Sequence, residues 1–236
     1  MSANAHVLRR AEAIGSSTRE AALPQVEATC GSQLWNPEDF AREQIRGLVR
    51  RVFFGNGGRP VKQVVFSAAE PHLEIASMCD RIALALAQET RAHVALLDAR
   101  QDLAESAYRR ASSGGTTSIK SSTAQISINL WRVQKSGLEE CGEEPGTGLQ
   151  WLPCLEKLRM EFEYVVIEGP AAGASSEAAL LGQLTDGIIL VLGARQTRRA
   201  TAQNIKETLE SARCRILGTV LMERTFPIPE RIYRRL

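Results

Sequence analysis

Val61-Lys62-Gln63-Val64-Val65-Phe66-Ser67-Ala68-Ala69-Glu70-Pro71-His72-Leu73-Glu74-Ile75-Ala76, an amphipathic run to Glu89, and then Val94-Ala95-Leu96-Leu97-Asp98 decide the fold. A short apolar run closed by turn residues reads as a buried strand, here about 62–67. Ile75, Met78, Cys79, Ile82, Ala83 and Leu86 recur at helical spacing, which predicts a helix over Leu73–Glu89. His93–Asp98 reads as a second buried strand. Strand, helix and strand with short connections make a unit of a parallel sheet, because parallel strands need a crossover between them.

The loop between strand and helix is where such a unit meets phosphate. A phosphate-binding loop of the type Gly-x-Gly-Lys-Ser uses glycine backbone N–H groups as a cradle. It adds a lysine for charge and a hydroxyl for magnesium. This chain has His72-Leu73-Glu74-Ile75-Ala76 there. The glycines, the lysine and the hydroxyl are all missing, and Glu74 adds a negative charge. A P-loop scaffold whose nucleotide site is erased is the expectation. The competing idea is that Lys62 or Arg81 supplies the missing cation.

Working outward, the same grammar repeats. Pro37 to about Phe53 reads as a helix with Ile45, Leu48, Val49, Val52 and Phe53 as its buried stripe. Asn36 is its cap and Pro37 its first residue. Gly55-Asn56-Gly57-Gly58 ends it. A helix at 102–108, a polar loop at 112–122, one strand at 125–133 and a Gly/Glu-rich loop at 137–148 follow. Leu152, Leu155, Leu158 and Phe162 mark a further helix, leading to the strand Tyr164–Ile167. Helix 176–184, strand 187–192, helix 198–212 and strand 215–221 complete the series. The expected architecture is α/β: a doubly wound, mainly parallel sheet of about seven strands in a three-layer sandwich. Residues 1–35 read as a mobile leader, 36–223 as the folded domain and 224–236 as a basic tail with Arg224, Arg231, Arg234 and Arg235.

Composition removes several classes. The chain has 236 residues, a net charge of +2, 44% hydrophobic and 24% charged residues. That implies a globular protein without a strong nucleic-acid field. Five cysteines, at 30, 79, 141, 154 and 214, form no C-x-x-C pair, which argues against zinc and suits a reducing cytosol. No metal site is expected. No run is long and apolar enough to span a membrane, and the N-terminus lacks a signal-peptide core.

These segments together resemble a known family, the bacterial tyrosine kinases of capsule and exopolysaccharide synthesis (CpsD/CapB type), within the MinD/ParA-like P-loop class. Arg59–Ala68, Arg81–Ala87, Val94–Ala99, Phe162–Pro170, Leu184–Val191, Ala194–Arg199 and Gly218–Leu221 carry the resemblance in order. It implies that the family's lysine falls at Ile75, its Ser/Thr at Ala76 and its two glycines at His72 and Glu74. The strand-end aspartates would fall at Asp98, which is kept, and Glu168; a second aspartate of the first motif falls at Arg100. The Asn that ends the family's last strand is Met222. The tyrosine-rich tail is reduced to Tyr233. A Glu-x-x-Arg-x-x-Arg subunit-contact motif is half present as Glu43 and Arg46, with Arg50 one place late.

The resemblance implies two alternatives. In the first, the chain is a catalytically degenerate relative with no catalytic residue and no cofactor. It would regulate or scaffold polysaccharide assembly by docking on an inner-membrane chain-length or export component, or on a second copy of itself, through Glu43, Arg46 and Arg50. It would be cytoplasmic, peripheral at the inner membrane through its partner, without nucleic acid and without inserting in the membrane itself. In the second, it is an ATP- and magnesium-dependent tyrosine autokinase with an atypical loop. Asp98 and Glu168 could then hold magnesium; in the first reading they are inherited polar strand ends, hydrogen-bonded to neighbouring helix N-termini.

Overall fold

The computed structural model describes residues 36–55, 59–100, 123–133 and 151–223. The expected helix at 102–108, the polar loops at 112–122 and 137–148, the leader and the tail with Tyr233 lie outside the described residues.

Helix α1 (Pro37–Val49) starts where the sequence places it. The Asn36 Oδ1 accepts the Glu38 N–H at 3.0 Å, Pro37 needs no donor, and Glu38 and Asp39 sit at the positive end of the helix. A single π turn, Arg50–Phe54, carries Val52 and Phe53 into the core. Strand β1 (Gln63–Ala68) is buried at every residue. Helix α2 (Ala76–Thr90) follows and ends at Arg91, whose φ is 57°. Then come β2 (Val94–Asp98), β3 (Thr123–Ser127), β4 (Leu130–Val133), α3 (Trp151–Glu161) and β5 (Tyr164–Gly169). Helix α4 (Glu177–Leu184), β6 (Gly187–Gly193), α5 (Arg199–Ser211) and β7 (Ile216–Met222) complete the set.

The seven strands form one sheet in the order β3-β4-β2-β5-β1-β6-β7, and only β3 runs antiparallel to its neighbour. Period-two alternation sends Val64, Phe66, Leu96, Val166 and Ile189 to one face, against Val49, Phe53, Met78, Ile82 and Leu86 of α1, its π turn and α2. Val65, Leu97, Val165 and Ile167 go to the other, against Trp151, Leu155, Leu158, Leu181 and Leu209 of α3, α4 and α5. This is the expected three-layer, doubly wound architecture.

One expected element divides. The alternation of Ile126, Ile128 and Leu130 predicts a single strand at 125–133, but the chain turns back on itself there. Asn129 takes φ 64°, its side-chain amide donates to the Arg91 carbonyl at 3.1 Å, and a bulge between Gln125 and Ser127 shifts the register. Asparagine tolerates the left-handed region better than most residues. The turn therefore needs no glycine to announce it.

Candidate functional site

Open α/β sheets offer ligands the carboxyl ends of their strands. In this sheet β1, β2, β5 and β6 open their carboxyl ends onto the loop 69–75.

Parallel pairing in register sets Asp98 at the end of β2 beside Glu168 at the end of β5, and the Ala99 N–H donates to the Glu168 carbonyl at 2.8 Å. Two carboxylates side by side repel unless a cation lies between them. Arg100 is that cation. Its Nε and Nη2 donate to the two Asp98 oxygens at 3.1 and 3.0 Å, and its backbone N–H reaches Oδ1 at 3.1 Å. The Nε also lies 3.0 Å from Oε1 of Glu168, and Nη1 lies 3.3 Å from Oε2 of Glu74. One guanidinium thus joins carboxylates from β2, β5 and the loop before α2.

The electrostatics follow from burial. The Glu168 side chain is 4% exposed, and its Oε1 has the charge of Arg100 nearby but no well-directed donor, since the N–H groups aim at Asp98. Burial, with the charges of Asp98 and Glu74 adding to it, pushes Glu168 up to about 7 against the pull of Arg100. Asp98 is also partly desolvated, which acts to raise it, but the hydrogen bonds from Arg100 win and hold it below the ordinary carboxylate range. The same hydrogen bonds raise Arg100, which stays charged at any working pH.

The loop itself is locked by backbone and core. The Ala69 N–H donates to the Val191 carbonyl at 2.8 Å. The Ala68 and Ala69 carbonyls accept from Ala172 at 2.8 Å and Gly173 at 3.2 Å. Gly173 approaches so closely that a Cβ there would lie 2.5 Å from the Ala69 oxygen. Leu73 folds back to Glu70 through its N–H, and Leu73 and Ile75 join the core beside α2. Ile75, at the position matched to the family's lysine, is 2% exposed. No side chain caps the start of α2, unlike that of α1. His72 leans across the loop, its Nε2 3.1 Å from Gln196 Oε1 and 3.3 Å from Glu70 Oε2. Gln196 in turn donates to Glu223 at 2.5 Å.

This donor set does not fit a magnesium-bound nucleoside triphosphate. The lysine position is a core isoleucine, Ala76 has no hydroxyl, Glu74 brings like charge, and Arg100 already fills the space between the acidic strand ends. The cation is neither Lys62 nor Arg81. Both side chains are exposed, and Lys62 contributes only its backbone N–H, to Asp186 at 2.7 Å.

Glu43, Arg46 and Arg50 share a face of α1 and its π turn, as expected, but that face is not left to solvent alone. Arg50 donates through Nε and Nη2 to both oxygens of Glu89 at 3.2 and 3.0 Å, and this hydrogen bond, with the charge of Glu89, raises its pKa. Arg46 lies 3.9 Å from both Glu43 and Glu89. The two arginines tie α1 to α2. Sequence reasoning missed Arg100, which registered only as a lost aspartate, and Glu89. An acid–x–Arg strand end beside a second acidic strand end was the available signal for Arg100.

No protein-family model matches the chain. The tyrosine-protein kinase YwqD of Bacillus subtilis is 24% identical over 195 residues, covering 78% of this chain and 82% of that protein. The tyrosine-protein kinase CpsD of Streptococcus agalactiae serotype III is 31% identical over 67 residues, 28% of this chain and 29% of that protein. Among solved structures, the VpsO kinase domain superposes with a TM-score of 0.58 at 18% identity, over 80% of this chain and 98% of that one. The MinD protein in the MinC:MinD complex of Aquifex aeolicus gives 0.51 at 15% identity, over 68% of each chain. The relatives are thus bacterial tyrosine-protein kinases, and the fold is that of P-loop kinase domains and MinD.

Proposed function

We propose that this chain is a catalytically degenerate relative of the polysaccharide tyrosine kinases that works by binding a partner and not by transferring phosphate. The observation that carries the reading is Arg100, bound between Asp98 and Glu168 where the resemblance puts an aspartate. Charged hydrogen bonds contribute about 1.5–3 kcal/mol each, so losing a lysine, a hydroxyl and a glycine cradle removes roughly 4–8 kcal/mol. That is on the order of a thousandfold or more in nucleotide affinity. Meanwhile both apolar layers of the sandwich are complete, so the fold is retained without the site. What remains is recognition.

The partner class follows from the resemblance: an inner-membrane chain-length or export component of polysaccharide assembly, or a second copy of the chain. The chain would be cytoplasmic and reach the membrane through that partner. The described residues include no helix long and apolar enough to cross a membrane. The contact surface we assign is the Glu43/Arg46/Arg50 face, whose arginines stay about half exposed while bound to Glu89. Recovery of partners from polysaccharide-producing cells tests it, with the intact chain and with Arg46→Glu plus Arg50→Glu. Loss of a partner from the folded variant supports the surface; equal recovery removes it. The second reading, an active autokinase, is favoured by the relatives, which are tyrosine-protein kinases. Autophosphorylation on Tyr233 that Asp98→Asn abolishes would establish it in place of ours.

A further inference from the structure

The amino ends of the strands form a rim that the carboxyl-end site does not touch. Its hydrogen bonds trace it across the sheet. The Arg91 carbonyl accepts from Asn129, His93 from Glu163 and Tyr164, Lys62 from Val165, and Arg215 from Ile188. At about 4.8 Å per strand, the span from Arg91 before β2 to Arg215 before β7 is about 19 Å.

This rim is basic. Arg59, Lys62, Arg91, Arg213 and Arg215 are exposed, and none of their side chains pairs with a carboxylate among the described residues. The acidic groups are fewer. Asp186 accepts the Lys62 and Gln63 N–H groups and pairs with Arg159, Glu89 is held by Arg50 and Glu210 by Lys206, which leaves Glu161, Glu163 and Glu207 exposed without an ion pair among the described residues. Two of the cations stand where a small residue would sit with less strain. Arg91 and Arg213 both close helices at left-handed φ, 57° and 56°, where glycine is the usual choice. A cation beside a helix carboxyl end complements the dipole, but that accounts for a basic residue in the last turn and not for arginine in the left-handed cap. Lys62 and Arg215 stand at strand entries and cap no helix.

Apolar groups break the surface among these charges. Phe54 is 49% exposed and its ring packs edge-on against Tyr164 at the start of β5, 6.3 Å between centroids. Met160, in the last turn of α3 before the same strand, is 88% exposed. Cations ringing a few protruding apolar side chains complement an anionic lipid surface, which offers headgroup charge at one level and hydrocarbon just below it. A nucleic acid would use the charge and leave Met160 in water.

We propose that the amino-end rim rests on an anionic lipid surface, with the cations facing headgroups and Phe54 and Met160 dipping between them. The contact is peripheral, and it points the carboxyl-end cluster away from the bilayer. It goes beyond the partner reading and does not depend on the nucleotide site.

Co-sedimentation of the full chain with vesicles tests it, using phosphatidylcholine alone and phosphatidylcholine mixed with phosphatidylglycerol. Binding is expected to the anionic vesicles only and to fall with added salt. Lys62→Glu plus Arg215→Glu should weaken it by about tenfold or more. Phe54→Ser plus Met160→Ser should weaken it without changing its salt dependence. Circular dichroism should show both variants folded. Replacing Arg224, Arg231, Arg234 and Arg235 by serine should leave most of the binding. No sedimentation, equal sedimentation with neutral vesicles, loss through the four C-terminal changes alone, or displacement of the vesicles by single-stranded RNA would each overturn the proposal.

Discussion

At the carboxyl ends of β2 and β5 the charges meet each other; along the amino-end rim five cations meet solvent. Asp98, Glu168 and Glu74 converge from three elements on Arg100, while Arg59, Lys62, Arg91, Arg213 and Arg215 line the opposite rim with no side chain paired to a carboxylate among the described residues. The same parallel sheet supports both ends, so the contrast lies in side chains and not in topology. In the proposed reading, a ligand-binding end is closed by two kinds of change. One is a cation built into the strand end. The other is a loop residue drawn into the core.

The contrast predicts opposite responses to mirror-image substitutions, and these carry the largest effect. Ile75→Lys, at the closed end, buries an ammonium in an apolar core and should destabilise by about 4–5 kcal/mol. Lys62→Ile, at the open end, should change stability by about 0.5 kcal/mol or less. Urea unfolding measures both. A tolerated lysine at 75 would mean that the loop opens readily, and the account of a locked loop would be wrong.

Removing the built-in cation comes next. Arg100→Ala leaves Asp98 and Glu168 facing each other and should destabilise by about 3 kcal/mol at pH 8, the low end for a broken buried pair because Arg100 is 37% exposed. Adding Glu168→Gln should recover much of that loss. Additive losses in the double-mutant cycle would separate the two residues energetically and break the comparison.

A smaller effect follows from protonation. Glu168 has its pKa raised from 4.5 to about 7, so between these values the folded state holds a proton that the unfolded chain has released. Its contribution to stability is fully present below about pH 4.5 and is lost as pH rises through 7. The loss is about 3 kcal/mol. Glu168→Gln should flatten that part of the stability profile. An unchanged profile in the variant would place the titration elsewhere.

Much of this was legible before any coordinates. Continuous apolar strands and helical stripes located β1, β2, β5, β6 and β7 and the helices between them, because burial on both faces imposes that pattern. Asn36 as a cap followed from local chemistry alone. The β3–β4 turn was not legible, since Ile126, Ile128 and Leu130 keep alternating through it and Asn129 gives only a weak turn signal. At the site, the sequence alone carried the expectation of an altered phosphate loop at His72, Glu74, Ile75 and Ala76. The gain of Arg100 was not, because its partners Glu74 and Glu168 come from distant parts of the chain and meet only through sheet register. Glu89 was hidden for the same reason: it lies 39 residues from Arg50.

The central claim is that the carboxyl end of the sheet is occupied by the protein's own groups. Thermal unfolding with millimolar ATP, with and without magnesium, tests it most directly. A ligand far below its dissociation constant adds almost no stability, so the melting temperature should not move in either condition. A magnesium-dependent rise of several degrees would show that Arg100 and Glu74 yield to nucleotide, and would contradict the account.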